Sequence, residues 1–270
     1  MKIYSEEQLP QGSEEWLKIR RIHGTASEIA SVLELSPWTP KTPLQLWQVK
    51  NGELHIKLNE AMKIGTETED EAKECFEEFS GKKYEPVCIT DEIKGLPLMA
   101  SLDGMELGKG NSIVEIKVPM SGSCSPLWAN MELEEDLPIH YVLQMQQQML
   151  LSKQDQCNFW VYDRKNKVGL HRIVKQDKQV QQQIIDGWAK YFEGKPEAGD
   201  RDVIVRDDKE WCKLAVLWKM AKSDADEATR KQKEFRQQLI DLCDGRSYKG
   251  NQVQLTKNTK TGGWSIRKVK

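Results

Sequence analysis

Ser101-Leu102-Asp103-Gly104, followed by Ile113-Val114-Glu115-Ile116-Lys117-Val118-Pro119, is the stretch whose reading decides the fold. Leu98 to Leu102 and Ile113 to Val118 are short and apolar, as strands are. Gly108-Lys109-Gly110-Asn111 between them has the composition of a hairpin turn. Side chains alternate along a strand, so Glu115 and Lys117 share one face. The hairpin returns Asp103, at the end of the earlier strand, to a place beside Glu115. Two carboxylates, 115 − 103 = 12 positions apart, and one ammonium then converge on one spot.

Each piece has an ordinary explanation. An E-x-K on a strand is usually a solvated face with a cross-strand ion pair, and a D-G is usually a turn. Here Ile113, Val114, Ile116 and Val118 surround the charges, which marks a central strand where charge needs a partner or a metal. Pro119 ends the strand directly after the lysine, and Asp103 follows an apolar strand rather than an open loop. Two hard oxygen donors suit Mg²⁺ or Mn²⁺, and the Ile116 carbonyl is a third candidate. Such a metal polarises a phosphoryl oxygen and lowers the pKa of a bound water. Lys117 stabilises developing charge or orients the attacking water. Its own protonation is set by opposing influences. In the metal-free protein, Glu115→Ala is expected to relieve repulsion between carboxylates.

Outward from this hairpin, the pattern predicts helices starting at Ser13, at Thr25-Ala26-Ser27-Glu28 and at Thr42-Pro43, and a longer one over Ala61 to Ser80. Val87 to Thr90 reads as a strand, and Asp91 to Pro97 as turn. Pro138 to Ser152 is helical, Cys157 to Tyr162 and Val168 to Val174 are strands, and Gln176 to Glu193 is a helix. On the 138–152 helix, Tyr141, Gln144 and Gln148 fall on one face, where a glutamine can hold a water or a carboxylate ligand. At least two of Gln146, Gln147 and Gln148 read as solvated helix formers. Asp208 to Cys243 is helical and strongly charged, with Trp211, Leu214, Ala215, Leu217, Trp218 and Ala221 as a packing stripe. Gln252 to Leu255 and Trp264 to Ile266 form a small hairpin. The chain thus divides into a core, residues 1–198, and an appendage of helix and β-hairpin, residues 199–270.

The 270 residues carry a formal net charge of only −2, so no global attraction to nucleic acid is signalled and any such contact must be local. Six scattered cysteines without a CxxC pair signal neither a zinc ribbon nor an iron–sulfur cluster, and suit a reducing cytoplasm. The start of the chain lacks a secretory signal, and no apolar run is long enough to span a bilayer. The expectation is a cytoplasmic protein with no membrane contact.

Five segments, in order over residues 11 to 195, resemble a known family. They are Trp16-Leu17-Lys18-Ile19-Arg20 with Gly24-Thr25-Ala26-Ser27-Glu28, then Gly65-Thr66-Glu67-Thr68-Glu69-Asp70-Glu71-Ala72, then Ser101-Leu102-Asp103-Gly104, then Glu115-Ile116-Lys117-Val118-Pro119, and Tyr141-Val142-Leu143-Gln144-Met145-Gln146. The chain is similar to the lambda-exonuclease family, also described as YqaJ-like viral recombinases, within the PD-(D/E)XK nuclease superfamily. The resemblance implies an α/β fold: a restriction-endonuclease-like core with a central mixed sheet flanked by helices, here with a C-terminal helical and hairpin appendage. It implies Mg²⁺, with Mn²⁺ a substitute, on Asp103, Glu115 and Ile116. It makes Glu69 an accessory carboxylate, places Gln144 beside the catalytic water, and puts Arg20 and Ser27, in the segment with Thr25, on the 5′-phosphate of a DNA end. A helix start suits an anion there. The implied activity is digestion of linear double-stranded DNA from the 5′ end, leaving 3′ single strands for recombination. The implied partners are double-stranded DNA ends, a single-strand annealing protein and two further copies in a ring-shaped homotrimer.

Three other readings share some of these residues. An endonuclease of the same superfamily would carry the same triad, but has no use for an Arg20–Ser27 phosphate pocket. A RecB-type nuclease would need clustered cysteines. A non-catalytic DNA-end-binding protein would gain nothing from converging carboxylates that repel phosphate. Trp38, Trp47, Trp128 and Trp188 are candidate interface anchors as well as candidate core. The role of the region after about residue 200 is open between subunit packing, DNA contact and docking of the annealing partner.

Overall fold

The computed structural model describes residues 1–57, 59–106, 112–203 and 206–269. The turn expected at Gly108 to Asn111 lies outside them. In chain order the elements of the first part are β1 (Lys2–Ser5), α1 (Glu14–Ile22), β2 (Gly24–Thr25), α2 (Ile29–Val32), α3 (Pro43–Lys50), α4 (Glu60–Ser80), β3 (Tyr84–Ile93), β4 (Leu96–Glu106), β5 (Ile113–Lys117), α5 (Pro126–Glu132), α6 (Ile139–Ser152), β6 (Gln156–Asp163), β7 (Val168–Lys175) and α7 (Lys178–Phe192). Local chemistry sets several boundaries. Ser13 and Thr42 accept hydrogen bonds from the Trp16 and Gln45 amides and cap α1 and α3. Gly81, at φ +67°, ends α4 in a left-handed turn.

Among the described residues, seven strands form one mixed sheet in the order β1-β3-β4-β5-β6-β7, with β2 beside β4. The β5–β6 and β2–β4 pairs are parallel and the others antiparallel. The Asp91 to Pro97 turn shrinks to Lys94-Gly95, both at positive φ, because β3 and β4 pair out to Ile93 and Leu96. β1, β2 and α5 carry no periodicity long enough to mark them in the sequence. Helices cover both faces. On one, Leu143, Met145 and Met149 of α6 and Ile184 and Trp188 of α7 pack over Leu102, Ile113 and Phe159. On the other, Ala72 and Phe76 of α4 pack over Val114, Ile116 and Trp160. β5 is therefore buried on both sides, as an interior parallel strand must be.

The chain divides into two units, Met1–Val203 and Ile204–Lys270. The second holds α8 (Lys209–Asp241) and a three-stranded antiparallel sheet of β8 (Tyr248–Gly250), β9 (Val253–Lys257) and β10 (Trp264–Lys268) in the order β10-β9-β8. The expected hairpin is β9–β10, and β8 adds a third strand.

Candidate active site

The site is built on a local fault in β4. Between Glu85 and Val87 the β3–β4 register shifts, so that Asp103 and Gly104 together stand opposite Pro86. Such a bulge re-aims a side chain against plain alternation. Leu102 faces the α6 core. A side chain at position 104 would meet Tyr84 and Val114 at 2.8 Å, on the α4 face, so glycine is required there. Asp103, between them, is left on the α6 face with Leu102. The β4–β5 ladder stops at Gly104↔Val114. Beyond it, Asp103 Oδ2 accepts the Ile116 amide at 2.7 Å, taking the place of a backbone partner. Asp103 thus stands inside an 11-residue strand and not at its end.

Glu115 is completely buried. Gln144 Nε2 donates to its Oε1 at 2.7 Å and Gln148 Nε2 to its Oε2 at 2.5 Å. The Lys117 ammonium pairs with Oε1 and lies 5.3 Å from the centre of the Tyr141 ring. Burial opposes the charge on Lys117, but Glu115 and Asp103 outweigh it and hold the ammonium above its ordinary range. Burial, with the charge of Glu115 next, pushes the Asp103 carboxyl well above its usual range against the pull of Lys117. Glu69 of α4 joins the same group: burial raises its carboxyl, Lys117 lowers it and Glu115 raises it again. Asp103, Glu115, Lys117, Gln144 and Glu69 are therefore gathered at one place.

Buried carboxyls whose proton affinity a neighbouring carboxylate raises, as at Asp103 and Glu69, suit a dication, which replaces the proton. Gln148 Oε1 is buried without a donor among the described residues and offers one more acceptor for a metal-bound water. No three His, Cys, Asp or Glu side chains among the described residues form a metal cage by themselves. The fitting donor set is two carboxylates, the Ile116 carbonyl and water, hard oxygens that match Mg²⁺ or Mn²⁺.

A second polar cluster lies along β4. β2 pairs Gly24 and Thr25 with Leu98 and Met99, four residues from Asp103, or about 13 Å of strand. Arg20 donates to Ser27 Oγ at 3.2 Å and to Glu28 Oε1 at 3.0 Å, and Thr25 Oγ1 is 3.4 Å from Ser27 Oγ. Arg20, Thr25 and Ser27 are brought together. Thr25 makes no cap hydrogen bond, and the helix expected at Thr25 to Glu28 is a 3₁₀ turn leading into the four-residue α2. Lys50, at the end of α3, is missing from the sequence reading. Its ammonium bonds Glu28 Oε2 at 2.7 Å and the Arg20 and His23 carbonyls at 2.7 and 2.8 Å. Burial pushes the Glu28 carboxyl up, but Arg20 and Lys50 more than offset it and hold it below its usual range. A lone lysine at a helix end carries no signal of this; only the fold brings α3 under α1.

The three glutamines 146–148 are all buried, against the expectation of a solvated face. The cause is the position of α6, wedged between the sheet, β2 and α7. Gln146 bonds the Lys175 carbonyl and the Asp177 amide, each at 2.8 Å. Gln147 donates to the Gly24 carbonyl and accepts from Trp188 Nε1, again at 2.8 Å. Gln148 holds Glu115 together with Gln144, the face-sharing pair that the helical period picks out. Of the tryptophan candidates, Trp128 and Trp188 are core, whereas Trp38 is exposed.

A mixed sheet covered by helices on both faces, with Asp103 on one strand and Glu115-x-Lys117 on the next, defines a PD-(D/E)XK nuclease. The YqaJ-like viral recombinase domain matches residues 15–155, just over half of the chain, and the protein belongs to that family. It is a DNA-hydrolysing nuclease. Among solved structures it is similar to an alkaline exonuclease from Laribacter hongkongensis, at 24% identity and a TM-score of 0.54, over 67% of this chain and 91% of that one. The same enzyme in complex with dAMP matches at 23% and 0.52, over the same shares. A phage-related exonuclease from Haemophilus somnus matches at 13% and 0.48, over 66% and 96%. No curated protein matches. Among the described residues no helix is long and apolar enough to cross a membrane.

Proposed function

We propose that the protein is a Mg²⁺-dependent exonuclease that digests linear double-stranded DNA from its 5′ end. The 3′ single strands it leaves would feed recombination by an annealing protein in the cytoplasm. The observation that carries the proposal is the convergence of Asp103, Glu115, Lys117 and Gln144 at one end of the Arg20–Thr25–Ser27 cluster. Asp103, Glu115 and the Ile116 carbonyl would hold the metal, with Mn²⁺ a substitute. When bound, the metal polarises the scissile phosphoryl oxygen and lowers the pKa of its water. Lys117, charged and fixed by Glu115, neutralises charge that develops on the phosphoryl group. Gln144 and Gln148 hold the Glu115 carboxylate in one orientation. Glu69 adds negative charge that favours the cation. Arg20, with Thr25 and Ser27, would take the terminal 5′-phosphate and so set which phosphodiester reaches Asp103.

The solved exonucleases support strand-end digestion, and the cluster around Arg20 supports a reader of ends. A ring-shaped homotrimer completes the reading: with a net charge near zero, enclosure would hold the duplex between steps where open electrostatic attraction would release it in salt. The test is digestion of 5′-phosphorylated linear duplex, dephosphorylated linear duplex and covalently closed circles in Mg²⁺. The phosphorylated linear form should disappear fastest and the circle should survive. Cutting of the circle would overturn the exonuclease reading.

A further inference from the structure

Helix α8 runs for 33 residues without one buried side chain. The packing stripe expected from Trp211 to Ala221 has no cover among the described residues of its own unit: Trp211 is 50% exposed, Leu214 57% and Trp218 67%. Large apolar side chains aligned on a bare helix mark an interface. From Trp211 to Leu242 a seam runs in alternating steps of three and four residues, the spacing of a coiled coil; large apolar residues occupy its two ends, Ala221, Ala225 and Ala228 its middle, and Gln232 is its one polar position.

That seam reads alike in both directions about the point between Asp226 and Glu227. Trp211 mirrors Leu242, Leu214 mirrors Leu239, Trp218 mirrors Phe235, and Ala225 mirrors Ala228; Ala221 against Gln232 is the one unlike pair. Bulk lies at both ends and alanine in the middle. The second observation lies in the same unit. The C-terminal half of α8 and the β9–β10 hairpin enclose a groove of about 630 Å³, whose apolar residues include Phe235, Leu239, Val253 and Ile266. One half of the helix therefore presents bare indoles, and the other half a groove that combines these apolar side chains with Lys231, Lys233, Arg236, Arg267 and Lys268, cations that suit the face of an indole.

We propose that α8 pairs antiparallel with α8 of a second copy of this chain, each copy's Trp211–Trp218 segment filling the other's groove. A twofold axis at Asp226–Glu227 makes the contact self-complementary, so it joins chains in pairs, at an interface separate from that of the proposed ring. Alanine at the crossing lets the helices approach closely, and large residues meet large ones nowhere but against the opposite groove. In this register Asp224 flanks the seam opposite Lys231 of the other copy, once on each side of the axis, so the charges also match. A parallel pair would set indole against indole and leave both grooves empty.

The test is to mix the full-length Ala225→Cys and Ala228→Cys proteins under mild oxidation and identify linked peptides by mass spectrometry. A 225–228 disulfide without 225–225 or 228–228 links is expected, with at least a tenfold loss of linkage when Trp218→Glu is added. Same-position links, no link with α8 intact by circular dichroism, or a link indifferent to Trp218→Glu would each overturn the proposal. Sedimentation gives a second readout that needs no cysteine. Trp218→Glu should at least halve the assembled mass of the otherwise unsubstituted chain; an unchanged mass overturns the pairing.

Discussion

Asp103 Oδ2 accepts the backbone amide of Ile116 at 2.7 Å, so a side chain closes the gap where the β4–β5 ladder has already ended. The bond ties one acidic residue to the strand that carries the other acid and the lysine. Their spacing is thereby set by backbone geometry and not by flexible side chains. Asp103→Ala and Lys117→Ala are each expected to reduce nuclease turnover by about three orders of magnitude or more, a few kcal/mol of transition-state stabilisation. Near-normal turnover in either would count against the assignment.

Glu115→Ala is expected to lower stability as well as activity. Lys117, Gln144 and Gln148 all donate to Glu115, so removing it strands a cation and two amides in the interior. The cost is about 3 kcal/mol or more. This reverses the relief of repulsion that two nearby carboxylates suggest on paper, because three donors converge on the one buried carboxylate. Urea denaturation of the metal-free protein decides the sign.

The glutamines of α6 separate chemistry from architecture. Gln147→Leu leaves the Gly24 carbonyl and the Trp188 indole without their partner and should cost about 2 kcal/mol while the metal site keeps its donors. Gln144→Ala should cost little stability but lower kcat ten- to a hundredfold with KM nearly unchanged. Equal effects on stability from both would show that Gln144 is only a strut.

Arg20→Ala should remove the preference for 5′-phosphorylated ends while Lys50 keeps Glu28 neutralised. Lys50→Met should destabilise by about 3 kcal/mol, since it takes a charge partner from a buried carboxylate. Digestion of phosphorylated and dephosphorylated duplex, with thermal melts of both variants, separates recognition from folding.

His140 gives a pH signature. Burial, aided by the charge of Lys117, lowers its imidazole from 6.5 to about 4. The unfolded chain binds this proton at higher pH than the folded one, so stability contributed by neutral His140 is complete above pH 6.5 and falls as pH drops toward 4. His140→Phe should lose less stability than the parent between pH 7 and pH 4.5. Parallel urea midpoints in the two proteins would contradict this.

The sequence disclosed most of the site because strand alternation and short motifs fix which residues are near in the chain. Glu115, Lys117 and Gln144 needed only periods of 2 and 3.6. Asp103 was placed correctly beside Glu115 but wrongly at a strand end, because a bulge is a property of two strands together. Lys50 was missed for a like reason: it matters through Glu28, 22 positions away. The exposed face of α8 was read as packing, since a sequence cannot say whether its cover lies in the same chain.

The most direct test of the central claim is Mg²⁺-dependent release of nucleotides from 5′-phosphorylated linear duplex by the parent protein and by Glu115→Gln, which preserves the shape of the buried side chain. The account predicts rapid release by the parent, none in chelator, and at least a thousandfold slower release by Glu115→Gln. Release by Glu115→Gln at close to the parent rate in Mg²⁺ would contradict it.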